Sequence, residues 1–67
     1  MLYKVWSKDG ESRKWCYDFF LASVDGAVYS YDMEGQTVRS AIFIVKKPIP
    51  QDLFDHFFFD YELLSSD

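Results

Sequence analysis

Fourteen aromatic side chains have to find places in a chain of only 67 residues: seven Phe, five Tyr and two Trp. Each covers on the order of 150–250 Å² when packed, and together they exceed what one small core takes in. A chain of this length makes a single domain, residues 1–67, and buries only about 60% of the surface its unfolded form exposes. Domains this small commonly add a disulfide, a metal or another subunit to their core. Cys16 is the only cysteine and His56 the only histidine. One cysteine excludes an intrachain disulfide, and one Cys with one His completes a zinc site only if carboxylates supply the rest. No metal or cofactor is therefore expected. Association remains, and the aromatic surplus then reads as surface meant for a partner.

The first twenty residues carry Lys4, Lys8, Asp9, Glu11, Arg13, Lys14 and Asp18, so no apolar leader segment is expected. The longest uncharged apolar run, Phe19 to Val24, is far too short to span a bilayer. The expectation is a cytoplasmic protein without membrane contact.

Turn residues punctuate the first two thirds of the chain at strand-like spacing. Leu2 to Ser7 alternates, and Lys8-Asp9-Gly10-Glu11 makes a tight turn. Arg13 to Val24 reads as a long aromatic strand, and Asp25-Gly26 as a hairpin turn with φ > 0 at both central positions. Ala27 to Asp32 returns, Glu34-Gly35 turns, and Thr37 to Lys46 forms the fourth strand. Pro48 and Pro50 then end the sheet, since neither donates to a ladder. The fold class predicted is α+β: a four-stranded antiparallel meander over 1–47 with one acidic C-terminal helix over 50–64.

With those loops, period-2 alternation places Tyr3, Val5, Cys16, Phe20, Ala22, Val24, Ala27, Tyr29, Tyr31, Val38, Ile42 and Ile44 on one face. Trp6, Trp15, Tyr17, Phe19, Leu21, Val28, Phe43 and Val45 fall on the other, interleaved with Lys4, Arg13 and Arg39. This register sets Trp6 opposite Arg13 and Lys4 opposite Trp15, as cation–π pairs. Both faces need covering. Pro50 suits a helix start, and Leu53, Phe54, Phe57, Phe58, Tyr61 and Leu64 share one helical stripe. The alternative is a short helix to about Phe57 and then a fifth strand, in which Phe57, Phe59, Tyr61 and Leu63 alternate with Asp60 and Glu62. Chain length and the lack of a turn residue favour the helix.

Charge divides along the chain. Residues 1–47 hold seven Lys/Arg and six Asp/Glu, a net of +1, and residues 48–67 hold five Asp/Glu and no base, a net of −5, together the −4 of the whole. Catalytic chemistry has little to stand on. His56 with Asp52 or Asp60 is a surface histidine among acids, Cys16 points to the core face, and the three glycines sit in separate turns rather than in a phosphate loop. No catalytic residue and no enzyme are expected.

Aromatic residues interleaved with Lys4, Arg13 and Arg39 suggest a stacking platform for single-stranded nucleic acid. The net charge of −4 argues against that, because phosphate electrostatics dominates such affinity. Protein binding fits better: aromatic anchors match interface cores, and acidic residues steer toward a basic partner. The candidate partner-binding residues are Trp6, Trp15, Tyr17, Phe19, Phe43, Asp52, Asp55, Phe59, Asp60 and Glu62. The expected role is a small regulatory or inhibitory module that occludes a basic or nucleic-acid-binding surface of a protein partner. A structural homodimer and a single-strand binder are the alternatives.

Tyr3-Lys4-Val5-Trp6-Ser7-Lys8-Asp9, then Phe19-Phe20-Leu21 and Val24-Asp25-Gly26-Ala27-Val28-Tyr29, is similar to the opening of the phage-encoded YopX-like proteins. The likeness covers under half of the chain and does not extend into its second half. It implies a β-rich phage accessory protein of undefined activity.

Overall fold

The computed structural model describes residues 1–10 and 13–66; Glu11 and Ser12 of the expected first turn, and Asp67 of the acidic tail, lie outside them. The elements run β1 (Leu2–Ser7), α1 (Lys14–Ala22), β2 (Gly26–Glu34), β3 (Thr37–Val45), α2 (Gln51–Phe57) and β4 (Phe59–Ser65). The strands form one antiparallel sheet in the order β2-β3-β1-β4. The α+β class and the four-stranded antiparallel sheet are as expected. The order of connection is not a meander. Both chain-terminal strands lie side by side, and each helix carries the chain across the sheet, the β-α-β-β-α-β plan of ferredoxin-like domains. That plan hosts many unrelated activities and assigns none.

Two elements correct the sequence reading. Residues 14–22 are helix, not strand. Cys16, Tyr17, Phe20 and Leu21 recur at helical spacing and face the core, with Tyr17 and Phe20 fully buried. The C-terminal helix stops at Phe57, and the alternative holds: residues 59–65 are strand. No glycine marks the break because Phe58 itself adopts the left-handed conformation, φ 59 and ψ 40, that usually falls to glycine at a helix end. Its N–H closes the helix on the Asp55 carbonyl at 3.2 Å, and its own carbonyl accepts from the Lys8 N–H at 3.0 Å.

The turn glycines also differ from expectation. Gly10 and Gly35 have positive φ, but Gly26 does not, and it opens β2 instead of turning a hairpin. What Gly26 needs is space. A Cβ there would lie 2.5 Å from the Ile44 carbonyl oxygen and 2.6 Å from Val45 Cγ1. The β2–β3 loop falls at Gly35 and Gln36, one residue later than predicted, with Glu34 opposite Thr37. Two bulges then break strict alternation, at Tyr29 on β2 and Arg39 on β3. The Arg39 bulge lets Val38 and Ala41 both point inward, so Ala41, Phe43 and Val45 line the core of β3, and Ile42 and Ile44 face away.

Both helices lie on one side of the sheet. Phe20 is the hub, with ring centroids 5.8 Å from Phe43, 5.3 Å from Phe54 and 5.2 Å from Phe59. Tyr17 stacks on Phe59 at 4.6 Å, and Phe54 stacks on Tyr61 at 4.0 Å. Tyr3 and Val5 complete the cluster from β1, and the Tyr3 hydroxyl accepts from the Ile49 N–H at 3.2 Å where the chain bends between β3 and α2. The opposite sheet face has no covering layer among the described residues. Leu2, Ile44 and Ala27 form one row across it, Lys4 and Ile42 the next, and Trp6 with Asp60 a third.

Candidate functional site

The folded core buries six of the fourteen aromatic rings: Tyr3, Tyr17, Phe20, Phe43, Phe54 and Phe59. Four stay largely in solvent: Trp15, Phe19, Tyr29 and Phe58. The surplus read from composition is therefore real, but its membership differs in part: Trp15 and Phe19 are in it as expected, and Tyr29 and Phe58 join them. Tyr17, Phe43 and Phe59 were expected at a partner surface and lie in the core. For Tyr17 and Phe43 the cause is the helical state of residues 14–22 and the Arg39 bulge, each of which reverses the facing predicted from simple alternation; for Phe59 it is the strand that replaces the prolonged helix after Phe57.

Trp15 and Phe19 do form a surface. Four residues apart on α1, they stand one above the other on its outer side, 64% and 65% exposed. The Phe19 ring lies 6.2 Å from that of Phe57, which is half-buried on α2, so the ridge continues from one helix to the next. Nothing in the fold requires these rings outside. Water contact with two large aromatic surfaces is unfavourable, and a paired ridge of this kind is what interface anchors look like.

The acidic residues divide between two sides. Asp52 and Asp55 are exposed on α2, in the same layer as the ridge. Asp60 and Glu62 alternate with the inward-facing Phe59 and Tyr61 on β4, so they project from the uncovered sheet face. The single acidic row expected on one helix is thus two pairs. Helices α1 and α2 together carry Lys14 against Asp18, Asp52 and Asp55, one base against three acids, a net of −2 with His56 neutral. Lys14 leans away from the ridge, its Nζ 5.3 Å from the Tyr31 ring centroid.

Asp18 fixes the boundary between ridge and core. Its carboxylate accepts from the Tyr31 hydroxyl at 2.6 Å, tying α1 to β2. Burial, and then this bond and the negative charge of Asp18, hold the Tyr31 phenol well above its ordinary value near 10.

Trp6 lies half-buried on the uncovered sheet face, with Lys4 Nζ 6.0 Å from its ring. The cation–π pairs expected from the predicted register, Trp6 with Arg13 and Lys4 with Trp15, are replaced by Lys4 over Trp6, Lys8 over Phe58 and Lys14 over Tyr31. Phe58, 55% exposed at the α2–β4 junction, was assigned to the inner helical stripe by sequence. Its backbone conformation is rare for a bulky residue, and such outliers are a reason to look for function. Arg39, on the same sheet face as Trp6, lies 3.8 Å from Glu34 in an exposed ion pair of little energetic weight.

Among the described residues, no group of three or more His, Cys, Asp or Glu is placed to hold a metal. No helix of the described residues is long and apolar enough to cross a membrane. Cys16 is a free thiol, half-buried against the core, and His56 is exposed. No family model, curated protein or solved structure matches this chain, so the likeness of its opening to YopX-like proteins stands on the quoted residues alone.

Proposed function

We propose that this protein is a small acidic protein-binding module of the regulatory or inhibitory kind, which works by occluding a basic surface of its partner. The observation that carries this reading is the Trp15–Phe19 ridge, two large aromatic rings held outside a core that has no need of them. Asp18, Asp52 and Asp55 supply the negative charge of the same helix layer. Aromatic anchors give residence time, and the surrounding carboxylates steer encounter with a basic partner. A partner that itself binds nucleic acid presents such a basic surface, and covering it would be inhibitory. The phage accessory setting rests on the YopX-like resemblance of residues 3–9, 19–21 and 24–29.

A stacking platform for single strands loses its geometry. Of Trp6, Trp15, Tyr17, Phe19 and Phe43, two are in the core, two stand on α1, and only Trp6 lies on the uncovered sheet face, beside Asp60.

The test is affinity capture with tagged protein from lysate of the cells that express it, repeated with Trp15→Ala/Phe19→Ala and with Asp52→Asn/Asp55→Asn. One dominant basic protein should be recovered by the wild type and lost with the aromatic double variant. Truncating an anchor typically costs about 2 kcal/mol, near thirtyfold in affinity. The amide variant should weaken capture mainly at low salt. Equal recovery by all three proteins refutes the reading. A wild-type sedimentation mass of about twice the monomer, reduced by Phe19→Asp, would assign the ridge to a homodimer instead.

A further inference from the structure

The two outer strands of the sheet are not equally protected. An unpaired strand edge offers N–H and C=O groups to any extended chain, and folds blunt such edges with bulges, prolines or lysines. β2 is blunted by the bulge at Tyr29. β4 runs in regular register with β1 from Phe59 to Leu63, has no proline or lysine, and shows a shift only at its far end beside Leu2. The Lys8 N–H to Phe58 carbonyl bond sets the phase of the β1–β4 ladder. Residues alternate between bonded and non-bonded pairs, so Asp60 and Glu62 bond to β1, and the backbone groups of Phe59, Tyr61 and Leu63 point to the free edge. The Tyr61 N–H agrees: it donates to the Asp60 carboxylate at 2.9 Å rather than to β1.

We infer that the outer edge of β4 accepts an extended peptide strand in which basic and apolar residues alternate. The side chains flanking the edge specify that chemistry. Asp60 and Glu62 lie on one side of it, and Tyr61 and Leu63, the latter 44% exposed, lie on the other. An added strand sets its own side chains alternately beside these two pairs, so Lys or Arg meets the carboxylates and an apolar residue meets Leu63. Asp60 occupies the Tyr61 donor in the free protein; an arriving ammonium draws its carboxylate across and releases that N–H for the ladder. A second copy of this chain is the poorer occupant, because antiparallel β4–β4 pairing gathers two sets of Asp60 and Glu62 on one face.

This deepens the protein-binding reading and rests on it. The probe is a short fluorescein-labelled peptide alternating Lys and Val, with a peptide of identical composition in separate Lys and Val blocks as control, followed by fluorescence anisotropy. Wild type should bind the alternating peptide at least about tenfold more tightly than the block peptide. Leu63→Pro removes an outward N–H and no β1 bond, which an edge strand tolerates, and should abolish the preference. Leu63→Ala should keep it, and Glu62→Gln should weaken it. Should Leu63→Pro misfold, amide exchange on the wild type decides: added peptide should slow Phe59, Tyr61 and Leu63 and leave β2 unchanged. Equal binding of both peptides, no binding, or protection of β2 instead overturns the inference. Any of these leaves the Trp15–Phe19 ridge standing, whereas peptide binding at β4 with no partner captured through the ridge supports the edge and removes the ridge.

Discussion

Between Trp15 and Phe20, helix α1 carries two pairs of aromatic residues with opposite surroundings. Tyr17 and Phe20 are fully buried, packed against rings from β3, α2 and β4, and Trp15 and Phe19 stand in solvent on the other side of the same helix. The residue types are alike and the backbone is continuous, so the difference lies only in which direction the helix turns each ring. Aromatic content therefore counts two things at once here. One part is the core of a small domain, and the other is surface that folding leaves unused.

That contrast is broken most directly at its buried member. Phe20→Ala removes the hub of the aromatic cluster, a change worth about 3–5 kcal/mol in well-packed cores. A domain of this size has about that much stability in total. The cooperative urea transition, followed by circular dichroism, should all but vanish. Phe19→Ala, one residue away, should move the same transition by no more than about 0.5 kcal/mol. If the two variants unfold at similar urea concentrations, the division of α1 into an inner and an outer side is wrong.

The exposed rings also explain where the sequence misleads. Cys16, Tyr17, Phe20, Leu21 and Val24 carry a helical period, but Trp15 and Phe19 fill the intervening positions that a solvated helix gives to polar residues. With apolar residues on both sides, 15–21 fits a strand as well as a helix. The residues that hid the fold are the residues of the candidate site. At the C-terminus the legible pattern was the correct one, since Phe59, Tyr61 and Leu63 alternate with Asp60 and Glu62. The helix prediction overrode it for want of a glycine, and Phe58 takes the glycine's conformation. On β3 the inward set was missed because a bulge at Arg39 carries no sequence signature, and alternation counted from Val38 then runs to Ile42 and Ile44. The antiparallel sheet, the inward Tyr3 and Val5, the outward Trp15 and Phe19, and the strand breaks at Gly10 and Gly35 were all legible.

Phe58 sharpens the comparison from the exposed side, with a smaller effect. Its φ of 59 penalises any residue with a Cβ, and its ring is more than half in solvent. Phe58→Gly should therefore be more stable than Phe58→Ala by about 1 kcal/mol, the cost of the left-handed conformation. In regular helix or strand the order is the reverse. Thermal unfolding of the two variants side by side reads this out. Equal stability would mean that the backbone at the α2–β4 junction relaxes once the ring is gone. The prolonged C-terminal helix would then be accessible to the chain after all.

The smallest effect concerns the tie that keeps the two sides of α1 in place. The Tyr31 hydroxyl donates to Asp18 at 2.6 Å, and removing it in Tyr31→Phe should cost about 0.5 kcal/mol at neutral pH, the lower end for one hydrogen bond at an exposed site. Its signature is in the pH dependence. The phenol is held above its ordinary value near 10, mainly by burial and then by Asp18, so the folded protein keeps the Tyr31 proton more tightly than the unfolded chain does. Stability from this group is complete below the unfolded value and is lost as pH rises beyond it, because only the unfolded chain then gains by ionising. Wild type should become easier to denature in urea as the buffer is taken upward from pH 10, and Tyr31→Phe should show a shallower decline. Parallel declines would place the Tyr31 hydroxyl in water in both states. Rotation of α1 about its axis would then be unopposed at this point, and the separation of Trp15 and Phe19 from Tyr17 and Phe20 would rest on core packing alone.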